Sequence, residues 1–132
     1  MSANSRQVGG THYMKGGEYQ HWDYITNYHG PSYLIGCATK YLMRWRNKNG
    51  VEDLKKARHY CEKLYEVSQH HQPIPFDHVG LKHFLIVNDV HKEDGKVIEQ
   101  IVSWQQPDDF NVAIYMIRLL IKNADTALYP KL

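Results

Sequence analysis

Residues 31 to 68 carry apolar side chains at helical spacing on both sides of an Asn49-Gly50 pair. Before the pair, one face of a helical wheel collects Leu34, Ala38, Tyr41, Leu42 and Trp45. After it, a second stripe collects Leu54, Ala57, Cys61, Leu64 and Ser68. Asn-Gly favours a left-handed turn, and Glu52 and Asp53 then place negative charge where a helix N-terminus stabilises it. The pattern predicts a hairpin of two helices, the first from about Pro31 to Asn47.

The segments around this hairpin give weaker patterns. Residues 1 to 20 contain two Gly pairs and no sustained period, which predicts an irregular arm. A helix is predicted from about His21 to His29, and a last amphipathic helix from Asp108 to Asn123. Between them, residues 83 to 104 have short apolar runs rich in β-branched residues. These runs predict either two helices joined at Asp94-Gly95 or a short β-hairpin that turns there, and we favour the helices.

The expected fold class is therefore all-α, in a compact helical domain that spans residues 1 to 132. That length suits one domain and is short for two. The hairpin region covers residues 21 to 70, and a C-terminal helical region covers residues 76 to 124.

The C-terminal region can be interpreted as a degenerate second copy of the hairpin, although any two amphipathic helices share part of such a pattern. Aligning Asp53 with Asp109 pairs the apolar positions of the two following helices, and Trp45 then matches Trp104 if three residues are dropped. In this alignment Arg44 falls opposite Ser103. The second hairpin thus keeps the apolar frame and lacks the cations of the first.

Composition limits the functions to consider. A net charge of +2 is too small for a protein that coats nucleic acid by charge, so a DNA-binding hairpin is not favoured. Cys37 and Cys61 occupy apolar helical positions and are interpreted as reduced thiols. No apolar run approaches the roughly 18 residues that cross a bilayer. We therefore expect a soluble, cytoplasmic protein with no membrane partner.

The basic residues of the first hairpin suggest a phosphate site. Lys40, Arg44 and Lys48 recur every four residues, so they stack along one side of a helix and repel one another. We expect their stems to lie on the core surface and their charged ends to remain free for a bound anion. The alternative is a solvated face that is neutralised by nearby carboxylates.

Two further positions are candidates for chemistry. Asp53 could orient a cation, hold magnesium through water or accept a proton, or it could only complement the N-terminus of its helix. In the arm, His12 and Tyr13 follow Gly9-Gly10, a pattern that can bring an imidazole near an anion. The chain has no Walker phosphate loop, and no HExxH or Cys/His quartet indicates zinc, so no metal site is assigned.

The residues also resemble a known family. A His-Tyr pair at 12 and 13, followed by "KYLMRWRNKNGVEDLKKARHY" with its KY..R...K.G.EDL.KA..Y spacing, is similar to a small SaV-like phage domain of unknown function. The likeness covers residues 11 to 65. It implies a phage-encoded protein, and one branch of that family is a nucleotide kinase that lacks a Walker loop and forms a large oligomer. Nine positions carry the motif: His12, Tyr13, Lys40, Tyr41, Arg44, Lys48, Asp53, Lys56 and Tyr60.

The leading functional hypothesis is phosphoryl transfer to (deoxy)nucleoside monophosphates from a nucleoside triphosphate, with Mg²⁺ as the candidate cofactor, in a homo-oligomer of the bacterial host cytoplasm. Asp53, Arg44 and His12 would be catalytic. The remaining motif residues would bind substrate and phosphate, namely Lys40, Lys48, Lys56, Tyr13, Tyr41 and Tyr60. A non-catalytic sponge for a host signalling nucleotide needs the same cations. An all-α pyrophosphohydrolase is a third hypothesis, for which Glu62 and Glu66 are a sparse carboxylate set.

Overall fold

A computed structural model of the protein describes residues 2 to 6, 8 and 19 to 124. After a short 3-10 turn at Ala3–Ser5, six α-helices follow in that part of the chain. They are α1 (His21–His29), α2 (Ser32–Arg44), α3 (Val51–Ser68), α4 (His78–Val87), α5 (Lys92–Val102) and α6 (Asp108–Asn123). The all-α prediction is confirmed. No strand occurs in these ranges, so the β-hairpin alternative for residues 83 to 104 is wrong.

The predicted hairpin is formed by α2 and α3. Its apolar stripes are buried as expected, with Leu34, Ala38, Leu42, Leu54, Ala57, Cys61 and Leu64 all fully inaccessible to solvent. Helix α2 ends at Arg44, earlier than predicted, because residues 45 to 50 fold into turns closed by the Gly50 amide, which donates to the Trp45 carbonyl at 2.8 Å. Gly50 has φ of +59°, as the predicted turn requires.

Helices α5 and α6 form a second hairpin that packs on the first, α6 against α3 and α5 against α2. The two connecting turns have a similar geometry. The Asp53 carboxylate accepts the Asn49 amide at 3.3 Å, and the Asp109 carboxylate accepts the Gln105 amide at 2.7 Å, each four residues back. Trp45 and Trp104 are both buried beside these turns. The alignment of the two hairpins therefore matches residues with equivalent local geometry.

The predicted junction at Asp94-Gly95 is wrong. Helix α4 ends at Val87, Asp89 takes a positive φ of 50°, and Asp94 and Gly95 lie buried in the first turns of α5. The local turn preference of Asp-Gly is overridden by tertiary contacts. Asp94 binds side chains of the first hairpin, and a Cβ at Gly95 would lie 3.5 Å from the Leu85 side chain of α4.

The described start of the predicted arm is fixed to α1 and α3 by a polar network. Asn4 is buried, and its side-chain oxygen accepts the Trp22 indole N–H at 2.7 Å and the Lys63 ammonium at 3.0 Å. Asp23 accepts from both Asn4 and Lys63. The Asn4 carbonyl accepts the side-chain amide of Gln20 at 2.8 Å, so described residues from the two ends of the predicted arm meet at one place.

None of the helices in the described ranges combines the length and the apolarity that crossing a bilayer requires.

Candidate functional site

Three cations from two helices surround the ring of Tyr41. The ring centroid lies 4.7 Å from the Arg44 guanidinium carbon and 5.0 Å from the Lys40 Nζ, both on α2. The Lys56 Nζ reaches the same ring from α3, at 5.6 Å. Lys40 is exposed and the other two are partly exposed. The hairpin therefore gathers three positive charges around one aromatic ring, where each also gains a cation–π contact.

Tyr41 belongs to a short row of rings across three helices. It stacks on Tyr60 of α3 with centroids 6.0 Å apart and an interplanar angle of 20°. Tyr60 meets Trp22 of α1 edge to face at 5.9 Å. Burial raises the pKa of Tyr60, and the neighbouring Cys37 thiol raises it further, so the phenol stays protonated near neutral pH. Tyr41 and Tyr60 are only partly buried, which leaves ring surface for a ligand.

We call the group Tyr41, Tyr60, Lys40, Arg44 and Lys56 the Tyr41 site. All five were predicted as site residues, and the hairpin brings them together. Periodicity within α2 could not show that Lys56 joins the site, because that depends on how α3 lies against α2. The motif spacing did contain Lys56, four residues before Tyr60 on the same face of α3.

The charged end of Arg44 is not free, contrary to the prediction. Its Nε lies 3.3 Å from one Asp53 carboxylate oxygen, and a terminal nitrogen lies 3.4 Å from the other. Asp53 is fully buried and also accepts from the Asn49 backbone and side chain. The turn between α2 and α3 folds the start of α3 against the end of α2, which creates this pair. Of the roles considered for Asp53, the geometry matches the orientation of a cation.

Lys48 leaves the predicted row because α2 ends before it. The residue is exposed in the turn at 45 to 50, so the spacing of four that placed it in line with Lys40 and Arg44 does not apply. Its binding role stays a prediction without a described contact to the Tyr41 site.

Other basic residues of the chain stabilise the fold through carboxylates. Arg46 binds Asp94 of α5 through two nitrogens at 2.8 and 3.1 Å, and Asp94 also accepts the Trp45 indole N–H. Lys63 binds Asp23 at 2.5 Å. The sequence reasoning missed these pairs, since their partners lie 40 residues or more away along the chain. Among the ion pairs of the described residues, none involves Lys40 or Lys56.

His12 and Tyr13 lie outside the described residues, so their predicted roles stay predictions from the sequence.

Carboxylates do not gather in the part of the chain that the structure describes. No group of three or more His, Cys, Asp or Glu residues is placed there to hold a metal ion. The Asp53 oxygens already face Arg44 and Asn49, which does not fit a magnesium ligand. Glu62 pairs with Arg6, and Glu66 accepts the Ala3 amide, so both fix the N-terminal segment on α3.

Comparison with known proteins gives one likeness. A family described as a protein of unknown function (DUF3310) matches residues 8 to 62, which is less than half of the chain. The matched range overlaps residues 11 to 65, where the resemblance was found, and contains every residue of the Tyr41 site. No curated protein and no solved structure matches the chain.

Proposed function

We propose that the protein binds a nucleotide at the Tyr41 site. The observation that carries this proposal is the convergence of Lys40, Arg44 and Lys56 on the ring of Tyr41, at 4.7 to 5.6 Å. Asp53 offsets the charge of Arg44, whereas no ion pair of the described residues involves Lys40 or Lys56, whose like charges repel each other unless an anion joins them. A ligand that combines phosphates with a planar base satisfies both the charges and the exposed ring surface.

The parts of the site fit the parts of a nucleotide. The flexible ammonium groups of Lys40 and Lys56 can follow phosphate oxygens as mobile point charges. Arg44 adds a planar guanidinium whose orientation is fixed by Asp53. Exposed surface of Tyr41 and Tyr60 offers stacking to a base, and such stacking is tolerant of base identity.

As the reaction, we propose phosphoryl transfer from a nucleoside triphosphate to a (deoxy)nucleoside monophosphate, as the resemblance to the phage kinase branch implies. The three cations would stabilise the charge that spreads over the transferred phosphoryl group. Asp53 acts here as a positioning residue, because its buried carboxylate holds Arg44. Magnesium would arrive with the triphosphate substrate.

One observation favours a second candidate, a nucleotide sponge without catalysis. Asp53 was the carboxylate predicted for acid-base work, and it is fully buried behind Arg44. Binding needs only the cations and rings. In either case we propose a homo-oligomer, because one hairpin presents an open surface that a second subunit can cover. We place it in the cytoplasm of a bacterial host, as the resemblance to the phage family implies. The pyrophosphohydrolase hypothesis gains no support from Glu62 and Glu66, which hold Arg6 and Ala3.

The binding proposal is tested by charge removal at matched positions. Lys40→Ala and Lys56→Ala each delete one cation of the site, whereas Lys55→Ala deletes an exposed cation at the neighbouring position of α3. A charge-assisted hydrogen bond contributes about 1.5 to 3 kcal/mol, so we expect roughly 10- to 100-fold weaker nucleotide binding for the first two variants in calorimetry. Equal effects of all three variants would show that only the overall charge matters and would reject the site.

Arg44→Ala is a poorer probe, since it leaves Asp53 buried without its cation. Arg44→Lys keeps the charge and removes the planar fork, so we expect weaker binding with the fold retained.

The reaction is tested by mixing the protein with nucleoside mono- and triphosphates and separating the products by chromatography. New diphosphates support the kinase, monophosphate with pyrophosphate supports the hydrolase, and unchanged nucleotides that stay bound support the sponge. Lys56→Ala should lower turnover under the kinase proposal. If the wild-type protein neither binds nor converts any of these nucleotides, the proposed function is wrong.

A further inference from the structure

The outward face of α6 carries a row of exposed apolar side chains. Val112, Tyr115 and Leu119 are 42%, 61% and 42% exposed, and Met116 beside them is partly buried. Their spacing of three and four residues aligns them along one seam of the helix. The opposite face of α6 is occupied by the core residues Phe110, Ala113, Ile117 and Leu120. Helix α6 is thus apolar on two sides, and the described chain covers one of them.

Charges at the two ends of this seam have opposite signs. Asp108 is exposed in the first turn of α6. Among the described contacts, its carboxylate accepts one hydrogen bond, from the Asn111 side chain at 3.0 Å. Lys122 is exposed in the last turn. On a helical wheel both residues fall on the side of Val112, Tyr115 and Leu119. Along the helix, the seam therefore has an acidic residue at its start, an apolar row in its middle and a basic residue at its end.

We infer that α6 pairs with α6 of a second copy of this chain, antiparallel about a two-fold axis that passes near Tyr115. In this register Val112 faces Leu119 of the second copy, and Asp108 faces Lys122, each contact occurring twice. A parallel arrangement would place Asp108 against Asp108 and Lys122 against Lys122. Charge complementarity thus selects both the occupant and its direction. The inference does not rest on nucleotide binding.

Helix α4 is a competing surface and supplies the control. Val79, Ile86 and Val87 are also exposed, at 80%, 68% and 65%. The pattern of charges on α4 does not select a partner in the same way, since its acidic residues Asp77 and Asp89 flank both ends.

Sedimentation of the full chain over a range of concentrations tests the interface. We expect a dimer that Leu119→Gln weakens at least tenfold, while Val87→Gln leaves the dimerisation constant unchanged. A protein that stays monomeric, a dimer insensitive to Leu119→Gln, or a dimer weakened only by Val87→Gln would each overturn the inference.

Charge exchange tests the direction of pairing. Asp108→Lys and Lys122→Glu should each weaken the dimer because like charges then meet, and the double variant should restore it. Each variant alone should bind the other, since both contacts of the mixed pair then join opposite charges. Circular dichroism controls for folding. Absence of rescue in the folded double variant would overturn the antiparallel arrangement.

Discussion

At the scale of single residues, the partner of each cation determines what it does. Arg44 and Arg46 are two positions apart, yet one orients toward Asp53 of the next helix and the other toward Asp94 of the second hairpin. Lys40 and Lys56 lie over Tyr41 with no ion pair among the described residues, whereas Arg44 contacts both the Tyr41 ring and Asp53. A basic stretch that looks uniform in sequence therefore divides into cations that stabilise the fold and cations available to a ligand.

Asp94 should be among the residues to which stability is most sensitive. It is almost fully buried and accepts from the Arg46 guanidinium and the Trp45 indole. Asp94→Ala would remove the buried carboxylate that the Arg46 guanidinium and the Trp45 indole both contact, so we expect the free energy of unfolding in urea to fall by about 3 to 5 kcal/mol.

Glu93→Ala is the matched control in the same turn of α5. Glu93 is exposed to a large extent and makes only a long pair with Lys96, at 3.8 Å. We expect a loss below about 0.5 kcal/mol. Similar losses for both variants would mean that the Arg46 pair does not join the two hairpins.

His59 should make stability depend on pH. Burial lowers its pKa below 6.5, the hydrogen bond to the Ala3 carbonyl opposes this, and the charges of Arg6 and Arg58 lower the pKa further. The unfolded chain takes up the proton near pH 6.5, whereas the folded chain does so only at lower pH. This contribution to stability is therefore complete above about pH 6.5 and is lost as the pH falls below it.

Urea unfolding at about pH 7.5 and pH 5.5 measures this effect. His59→Gln keeps a donor for Ala3 but does not titrate, so it should lose less stability on acidification than the wild type. His70→Gln, at an exposed position just beyond α3, should behave like the wild type. An unchanged pH dependence in His59→Gln would contradict the prediction.

At the scale of helices and turns, the ends of α2 and α3 determine the geometry of the Tyr41 site. The turn at 45 to 50 stops α2 at Arg44 and starts α3 at Val51, which places Asp53 behind Arg44. Gly50 makes this possible with φ of +59° and ψ of −131°, a conformation that side chains with a Cβ rarely adopt. The site is thus built by the turn as much as by the faces of the helices.

Substitutions at two glycines distinguish the effect of helix propensity from the effect of backbone strain in the turn. A Cβ at Gly36, on the exposed side of α2, would meet no atom within 4 Å. Gly36→Ala should therefore raise the free energy of unfolding by about 0.5 to 1 kcal/mol. Gly50→Ala should lower it by about 1 to 3 kcal/mol, because alanine is strained there. Thermal unfolding followed by circular dichroism measures both, and the same sign for both would refute this account of the turn.

At the scale of the whole molecule, the α2–α3 hairpin, which lies mostly within the family match, packs against helices α5 and α6, which lie outside it. Helix α3 packs along α6, and its buried residues Leu54, Ala57, Cys61 and Leu64 lie in the same core as Phe110 and Ile117. The matched range ends at residue 62, within α3. The Tyr41 site therefore lies on a hairpin whose back is covered by the C-terminal helices.

A fragment of residues 1 to 75 should consequently fail to fold. Removing α4 to α6 exposes the apolar face of α3, which the remaining helices do not cover. We expect weak helicity without a cooperative thermal transition, measured by circular dichroism beside the full chain. A cooperative transition in the fragment would show that the first hairpin is stable on its own.

Local sequence patterns were enough to predict most of the helices and the core of the first hairpin. Helices α1 and α6 begin and end at the predicted residues, and the predicted stripes of α2 and α3 are buried except for the partly exposed Tyr41. These features follow from apolar periodicity, Gly and Pro signals and terminal charges, all of which act within a few residues of the chain. The motif spacing also placed Lys40, Tyr41, Arg44, Lys56 and Tyr60 among nine candidate site residues.

Which of these side chains are in contact depends on the tertiary structure. Arg46 and Asp94, which pair, are 48 residues apart in the sequence. Asp94-Gly95 lies inside a helix, where the local pattern had predicted a turn. The end of α2 at Arg44 removed Lys48 from the row, and the approach of α3 brought Lys56 to Tyr41. A spacing rule describes one helix at a time. Ion pairs and ring contacts between helices depend on how the helices pack, and local periodicity does not specify that packing.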